Sequence, residues 1–497
     1  MKCWRIIALA KTKQKRFATI DDFFKAADNT CCPPLSLDIW VSLCYNIKIF
    51  WKETVMAIQL SDHFTYKRLI RFTIPSIAMM IFTSIYGVVD GFFVSNFVGK
   101  TSFAAVNFIM PFLMILGAFG FMIGTGGSAL ISKTLGEGDR ERAKRLFSMF
   151  IYITVACGMA ISALGILFIR PIAVWLGAEG AMLEDCVIYG RIILAALPLF
   201  MLQMEFQSFF ITAEKPQLGF GATVIAGVAN MVLDALFMAV FHWGIVGAAL
   251  ATAISQTIGG LIPIVYFGRK NNSLLRLCKT RFDGRAMLRA CTNGSSELMS
   301  NISMSVVSML YNLQLMKFAG EDGVAAYGVL MYVNFIFISI YIGYAIGTAP
   351  VIGYHYGAQN HGELRSLLRK SFVIISVMSV SMLAAGLSLA RPLSTVYVGY
   401  DAALMAMTLR GFYICSFAFL FTGFAIFGSS FFTALNNGPI SALISFLRTL
   451  VLQTAAVLVF PMIWGIDGIW FSIVASEFMA AVISLLFIAG LRKKYHY

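Results

Sequence analysis

The sequence predicts an all-α integral membrane protein, with twelve transmembrane helices in two six-helix lobes related by a pseudo-two-fold axis along the membrane normal. Three observations predict it. Of the 497 residues 59% are hydrophobic and only 12% charged, far from the balance of a soluble domain. Apolar runs recur that are long enough to cross a hydrocarbon core of about 30 Å at about 1.5 Å per helical residue. The second half of the chain also repeats the first.

The apolar segments fall near 72–97, 102–131, 147–169, 187–212, 218–241 and 246–267, then near 292–318, 324–353, 371–390, 404–433, 440–463 and 468–491. Pro75, Pro198, Pro263 and Pro350 lie inside them and are expected to bend their helices. A shift of 221 residues superposes the halves without a gap. It sets Gly99 on Gly320, Gly126 on Gly347, Gly136 on Gly357, Arg170-Pro171 on Arg391-Pro392 and Gly244-Ile245 on Gly465-Ile466. Six helices separate equivalent positions, so the copies share one orientation, as in parallel-repeat transporters. The expected divisions are an N-lobe at 56–267, a loop between the lobes at 268–291 and a C-lobe at 292–497.

Residues 1–55 read differently. They are less apolar, carry Lys2, Arg5, Lys11, Lys13, Lys15 and Arg16, and hold an apolar run of only five residues, Ile6 to Ala10, too short for a signal-peptide core. Lys52 and Glu53 can be encoded by AAGGAG, a bacterial ribosome-binding sequence, three residues ahead of Met56. The expectation is therefore a start at Met56, with the preceding stretch a non-native or disordered extension. Mass spectrometry of the native N-terminus checks it, and a peptide from 20–48 overturns it.

The net charge of +14 does not indicate a nucleic-acid partner, because the basic residues sit in short loops where they orient a membrane protein. The loop after the sixth segment carries Arg269, Lys270, Arg276, Lys279, Arg281, Arg285 and Arg289, and the loops after the second and eighth are basic too. The alternate connectors carry Glu179, Glu184, Asp185, Glu321, Asp322 and Asp401, with Lys100 their lone cation. Both termini are thus expected in the cytoplasm of a bacterial inner membrane. Nine cysteines show no metal or disulfide spacing, and no G-x-x-x-x-G-K-[ST], H-E-x-x-H or G-x-S-x-G motif occurs. No enzyme, ATP use or cofactor is expected, and energy is assigned to an ion gradient.

An ionisable side chain inside the bilayer costs at least about 2.5 kcal/mol, so each intramembrane acid is a functional candidate. Five stand out: Asp90, Glu205, Asp234, Glu297 and Glu477, with cations almost absent at the same depths. Asn230 and Asp234, at i and i+4, share a helix face where an amide oxygen and a carboxylate suit a hard cation. Uncompensated acids favour cations or protons, which suits an exporter of small organic cations coupled to Na⁺ or H⁺. Glu205, with Gln207 near it, and Glu297 lie close enough to helix ends to reach interfacial water instead. Twenty-six methionines and forty-four phenylalanines suit an adaptable pocket, although most fill helix contacts or face lipid.

From about Met56 onward the chain resembles the multidrug and toxic compound extrusion (MATE) transporters, and SDHFTYKRLIRFTIPSIAMMIFTSIYGVVDGFFVSNFVG looks most like their MepA-like branch. The marks are Asp90 with Gly99, the N-x-x-x-D of Asn230 and Asp234, and the GAALAT run from Gly247 to Thr252. The resemblance implies a V-shaped twelve-helix fold and multidrug antiport, and the chain is expected to function as a monomer. It implies a coupling site at Asp90, Asn230, Asp234 and Thr252, with Na⁺ at the first three or a proton instead, and a substrate or proton role for Glu297. Glu477, Glu205 and Gln207 are the further substrate or proton candidates. The 221-residue partners of Asp90 and Asp234 are Tyr311 and Ala455, which confines this site to the N-lobe. The alternatives are a lipid or lipid-linked oligosaccharide flippase of the same superfamily, expected to line its cavity with arginines, and a non-transporting membrane sensor.

Overall fold

The computed structural model describes residues 58–399 and 401–497. The expected extension at 1–55 and the start at Met56 lie outside the described residues, among which there is no strand. The described chain is a bundle of long helices. α1 (Tyr66–Phe97), α2 (Lys100–Gly136), α3 (Arg140–Leu176), α4 (Gly180–Thr212), α5 (Pro216–Asp234) and α6 (Gly244–Gly268) make the first lobe. In the second, α7 and α8 lie in one continuous stretch, Gly284–Gly357, broken at Gly320, whose φ of 63° no helix accommodates. α9 (His361–Val398), α10 (Ala402–Ser416 and Phe419–Ala434), α11 (Gly438–Phe446 and Gln453–Trp464, joined by a π-helical stretch) and α12 (Ile466–Tyr495) complete it.

Ten of these helices are long and apolar enough to cross a membrane, and the two parts of α10, bent by 50°, make an eleventh span. The twelfth is α7, whose polar opening TNGSSELMSN dilutes its hydropathy. Ten of the expected apolar segments lie inside one helix that runs past them at one or both ends, whereas 218–241 ends one residue beyond the π-helical continuation of α5 and 404–433 crosses the break in α10. Hydropathy registers only the length inside hydrocarbon, whereas α3, with 37 residues, is about 55 Å long and projects into water. For the same reason the connection between the lobes is shorter than the expected 268–291, since α7 already begins at Gly284. The largest bend, at 416–419, holds no proline and was not foreseen.

The repeat is visible in local structure. Asp139 caps α3 and Asn360, its 221-residue partner, caps α9 with nearly the same backbone angles. Positive φ recurs at Gly99 and Gly320, at Gly138 and Gln359, and at Gly244 and Gly465.

The lobes meet at the end that carries the basic loops. There a Cβ on Gly126 would lie 1.9 Å from the Ala290 carbonyl, one on Gly136 2.0 Å from that of Tyr354 and one on Gly357 2.1 Å from that of Lys133. The last two contacts exchange under the pseudo-symmetry. Glu363 of α9 adds a polar tie, its carboxylate meeting His63 Nδ1 at 2.6 Å and accepting from the Phe64 amide at 2.9 Å. One apolar cluster, from Phe64 and Phe147 to Ile352 and Phe431, spans both lobes at this end. Toward the other end each lobe has its own cluster, one around Tyr189 and Ile193, the other around Tyr311 and Trp470. The lobes therefore join at the basic end and separate toward the opposite one. Leu167, Trp175 and Met462 stand on the outer surface more than two-thirds exposed, as lipid-facing side chains do.

Candidate ion-binding site

Two helices must come close for the first pair of acids to meet. α5 approaches α1 at Gly227, where a side chain would collide with Phe82 and Tyr86. Two turns further on, Asp234 closes the α-helical part of α5, and Ala235–Val240 continues as a π-helix, a feature often found at functional sites. The carboxyl groups of Asp90 and Asp234 are close enough for each to perturb the other's charge. Asn230 lies one turn before Asp234 on the same face, Thr252 comes from α6 near Tyr189 of α4, and that tyrosine lies within the electrostatic reach of both acids.

The electrostatics of this cluster are unusual. No ion pair among the described residues involves either carboxylate. Asp90 Oδ1, both Asp234 oxygens, both polar atoms of Asn230 and Thr252 Oγ1 are buried without a hydrogen-bond partner. Native proteins leave few such atoms unsatisfied, and a pair of carboxyls in a low-dielectric setting needs a proton between them or a cation upon them. Two carboxylates, an amide oxygen and a hydroxyl form an all-oxygen set of the kind a hard cation takes. The sequence reading did not single out Tyr86 or Tyr189. The i, i+4 spacing of Tyr86 and Asp90 was a usable signal, but nothing in the sequence marks Tyr189.

The other candidates lie elsewhere. Glu205 is fully buried against α2 and α3, near Thr154, and neither of its oxygens has a partner. Gln207, two residues on, makes one weak contact, to Met204 Sδ at 3.8 Å. In the second lobe the reading of Glu477 as an uncompensated acid is corrected. Arg448, in the π-helical stretch of α11, donates through Nε to both Glu477 oxygens (3.1 and 3.0 Å) and through Nη2 to Oε1 at 3.0 Å. Glu297 of α7 lies within the field of the same guanidinium. The symmetry partner of Asp90, Tyr311, is bonded to Ser472 at 2.8 Å and stacked on Tyr327. Glu477 thus has an internal cation, with Glu297 in its field, and among the described residues the acids of the first lobe's pair have none.

The MatE family model matches the chain twice, at residues 75–236 and 298–459, once in each half. The chain belongs to the MatE family. Among curated proteins it is similar to the multidrug export protein MepA of Staphylococcus haemolyticus, 26% identical over 86% of this chain and 94% of the relative. MepA of Staphylococcus aureus strain MRSA252 is 23% identical over the same shares. Among solved structures it is similar to an outward-facing multidrug resistance MATE family transporter (TM-score 0.83, 23% identity, 89% of this chain and 99% of the other). It also matches a MATE bound to MaL6 (TM-score 0.83, 22% identity, 87% and 98%). These likenesses give the MatE chain its fold as a multi-pass membrane transporter.

Proposed function

We propose that this MatE protein is a multidrug efflux antiporter of the cell membrane, exporting small organic cations in exchange for Na⁺ or H⁺. The observation that carries the reading is the buried Asp90–Asp234 pair, with Asn230 and Thr252 beside it and no side-chain cation to neutralise it. A pair left this way in the membrane binds a proton or a cation, and releases it when the environment changes. The export of drugs by the MepA relatives supports the substrate class. Two lobes joined at one end and parted at the other support alternating access, in which rocking about the midplane moves the opening from side to side. The basic end is the cytoplasmic one on the charge rule, so the arrangement described here opens outward. The flippase reading gains no support from Arg448, whose guanidinium is engaged by Glu477.

The test uses the full chain in proteoliposomes, following ethidium under imposed Na⁺ or H⁺ gradients. Wild type moves dye under one gradient, which names the ion, and Asp90→Asn loses gradient-driven transport about a hundredfold, the scale of removing one group that a coupled ion must bind. Dye movement by Asp90→Asn at the wild-type rate overturns the coupling site. No movement of several cationic dyes by wild type under either gradient overturns multidrug antiport.

A further inference from the structure

The unsatisfied polar atoms of the first lobe do not stop at the carboxyl pair. On α5, Asp234 and Asn230 share a face with Thr223, whose hydroxyl donates to the Gly219 carbonyl at 3.0 Å, at four- and seven-residue steps, and on α6 Thr252 and Gln256 share one too. Gln203 of α4 lies across α6 at Gly259, where a Cβ would fall 2.6 Å from the glutamine Cδ. Gln203 and Gln256 are each about 95% buried, and the carbonyl oxygen of each lacks a partner, as does Thr252 Oγ1. These residues descend from the carboxyl pair toward the basic end. The eleven residues from Asp234 back to Thr223 span about 16 Å of helix. At the foot of the column Gln203, Gln207, Thr223 and Met79 line a small, partly enclosed cavity of about 10 Å³, room for the centre of about one water molecule. Phe206 and Phe210 line that cavity as well, and behind them Phe206 stacks on Phe267 with centroids 5.8 Å apart, so the column ends at an aromatic plug.

We propose that this column holds a chain of bound water inside the N-lobe, linking the carboxyl pair to the Gln203–Gln207 cavity, and that it is the route by which the exchanged ion travels between the pair and the basic end. A buried amide oxygen without a partner costs about 1–3 kcal/mol, and a polar cavity of one-water size beside such oxygens is where water resides. The route lies within one lobe, walled by α1, α4, α5 and α6, and is separate from the cleft between the lobes. With the plug shut, the pair is cut off from the basic end while the lobes are joined there. The transport role rests on the coupling site proposed above, whereas the presence of water does not.

The experiment is X-ray radiolytic footprinting of the full chain in nanodiscs, with Met79 as reporter. Met79 is 1% exposed and lines the cavity, and Met201, 0% exposed within an apolar cluster, is the internal control. Hydroxyl radicals form where water is bound, so Met79 is expected to oxidise about tenfold faster than Met201, and the Gln203→Leu/Gln256→Leu double variant to lose most of that difference. Equal oxidation of the two methionines in wild type overturns the water chain. In liposomes the double variant is expected to keep its ethidium affinity within about twofold and to slow gradient-driven export about tenfold, the size of step a lost relay gives. Unchanged export with lost labelling overturns the route. If Asp90→Asn transports normally while Met79 still oxidises, the coupling reading and the route fail and the water chain stands.

Discussion

Inside a bilayer a guanidinium and a carboxylate remain charged only in each other's company, and Arg448 and Glu477 meet with three hydrogen bonds and little exposure. Removing one partner leaves a buried charge that the other was satisfying, at a cost of about 3–5 kcal/mol. Glu477→Gln is accordingly expected to lower the thermal stability of the purified protein sharply, whereas the Arg448→Met/Glu477→Met double substitution restores most of it. A single variant as stable as wild type refutes the pair's role. This arginine also shows what the sequence could and could not reveal. The acids Asp90, Asp234 and Glu477 stand out of apolar helices by their charge alone, and the same rule applied to α11 would have exposed Arg448. Which acid it serves depends on a crossing of α11 and α12 that no spacing within one helix encodes.

At the scale of elements, helices approach closely wherever glycine removes the side chain between them. α2 meets α7 through Gly126 and Gly294, with virtual Cβ atoms 1.9 and 1.8 Å from opposing carbonyls, closer than any real side chain sits. Gly294→Val must push α2 and α7 apart, at a cost of about 1–3 kcal/mol to the state in which the basic end is closed. The expected result, read by spin-label distances across α2 and α8, is a population shifted toward an open basic end, and an unaltered distance distribution counts against this packing as the seal. Gly126 was readable in the 221-residue register, which sets it on Gly347, but Gly294 was not, since its register partner is Thr73. The π-helical stretches were not readable, since they sit at 235–240 and 447–452, positions the register does not equate.

For the whole molecule, the polar tie at Glu363 joins the segment before α1 to the far lobe through His63 and the Phe64 amide, with Lys370 donating to the Phe64 carbonyl. Charge-assisted bonds of this kind contribute about 1.5–3 kcal/mol each. Glu363→Gln, which keeps the shape and loses the charge, is expected to weaken closure at the basic end, raising the labelling of a cysteine placed at Tyr354 by a membrane-impermeant thiol reagent while leaving thermal stability nearly unchanged. Unchanged labelling shows that the glycine contacts close this end alone. Two lobes, twelve helices and their common orientation were legible from hydropathy and repetition, since both are written along the chain. The carboxyl pair was legible as separate residues on separate helices. Its partner Tyr189 and its lack of any cation arise only when four helices close around it.

That lack has an electrical meaning. Arg448 answers Glu477 in the second lobe, whereas the coupling site proposed above leaves the carboxylates of Asp90 and Asp234 to load and unload. With coupling confined to that pair, one turnover exchanges at most two protons for each outgoing drug. Exchanging two protons for one monovalent drug carries one net charge inward, worth about 2.3 kcal/mol for every 100 mV of membrane potential. A one-for-one exchange carries none. A voltage clamp on a patch of membrane, blind to the drug itself, therefore counts the ions.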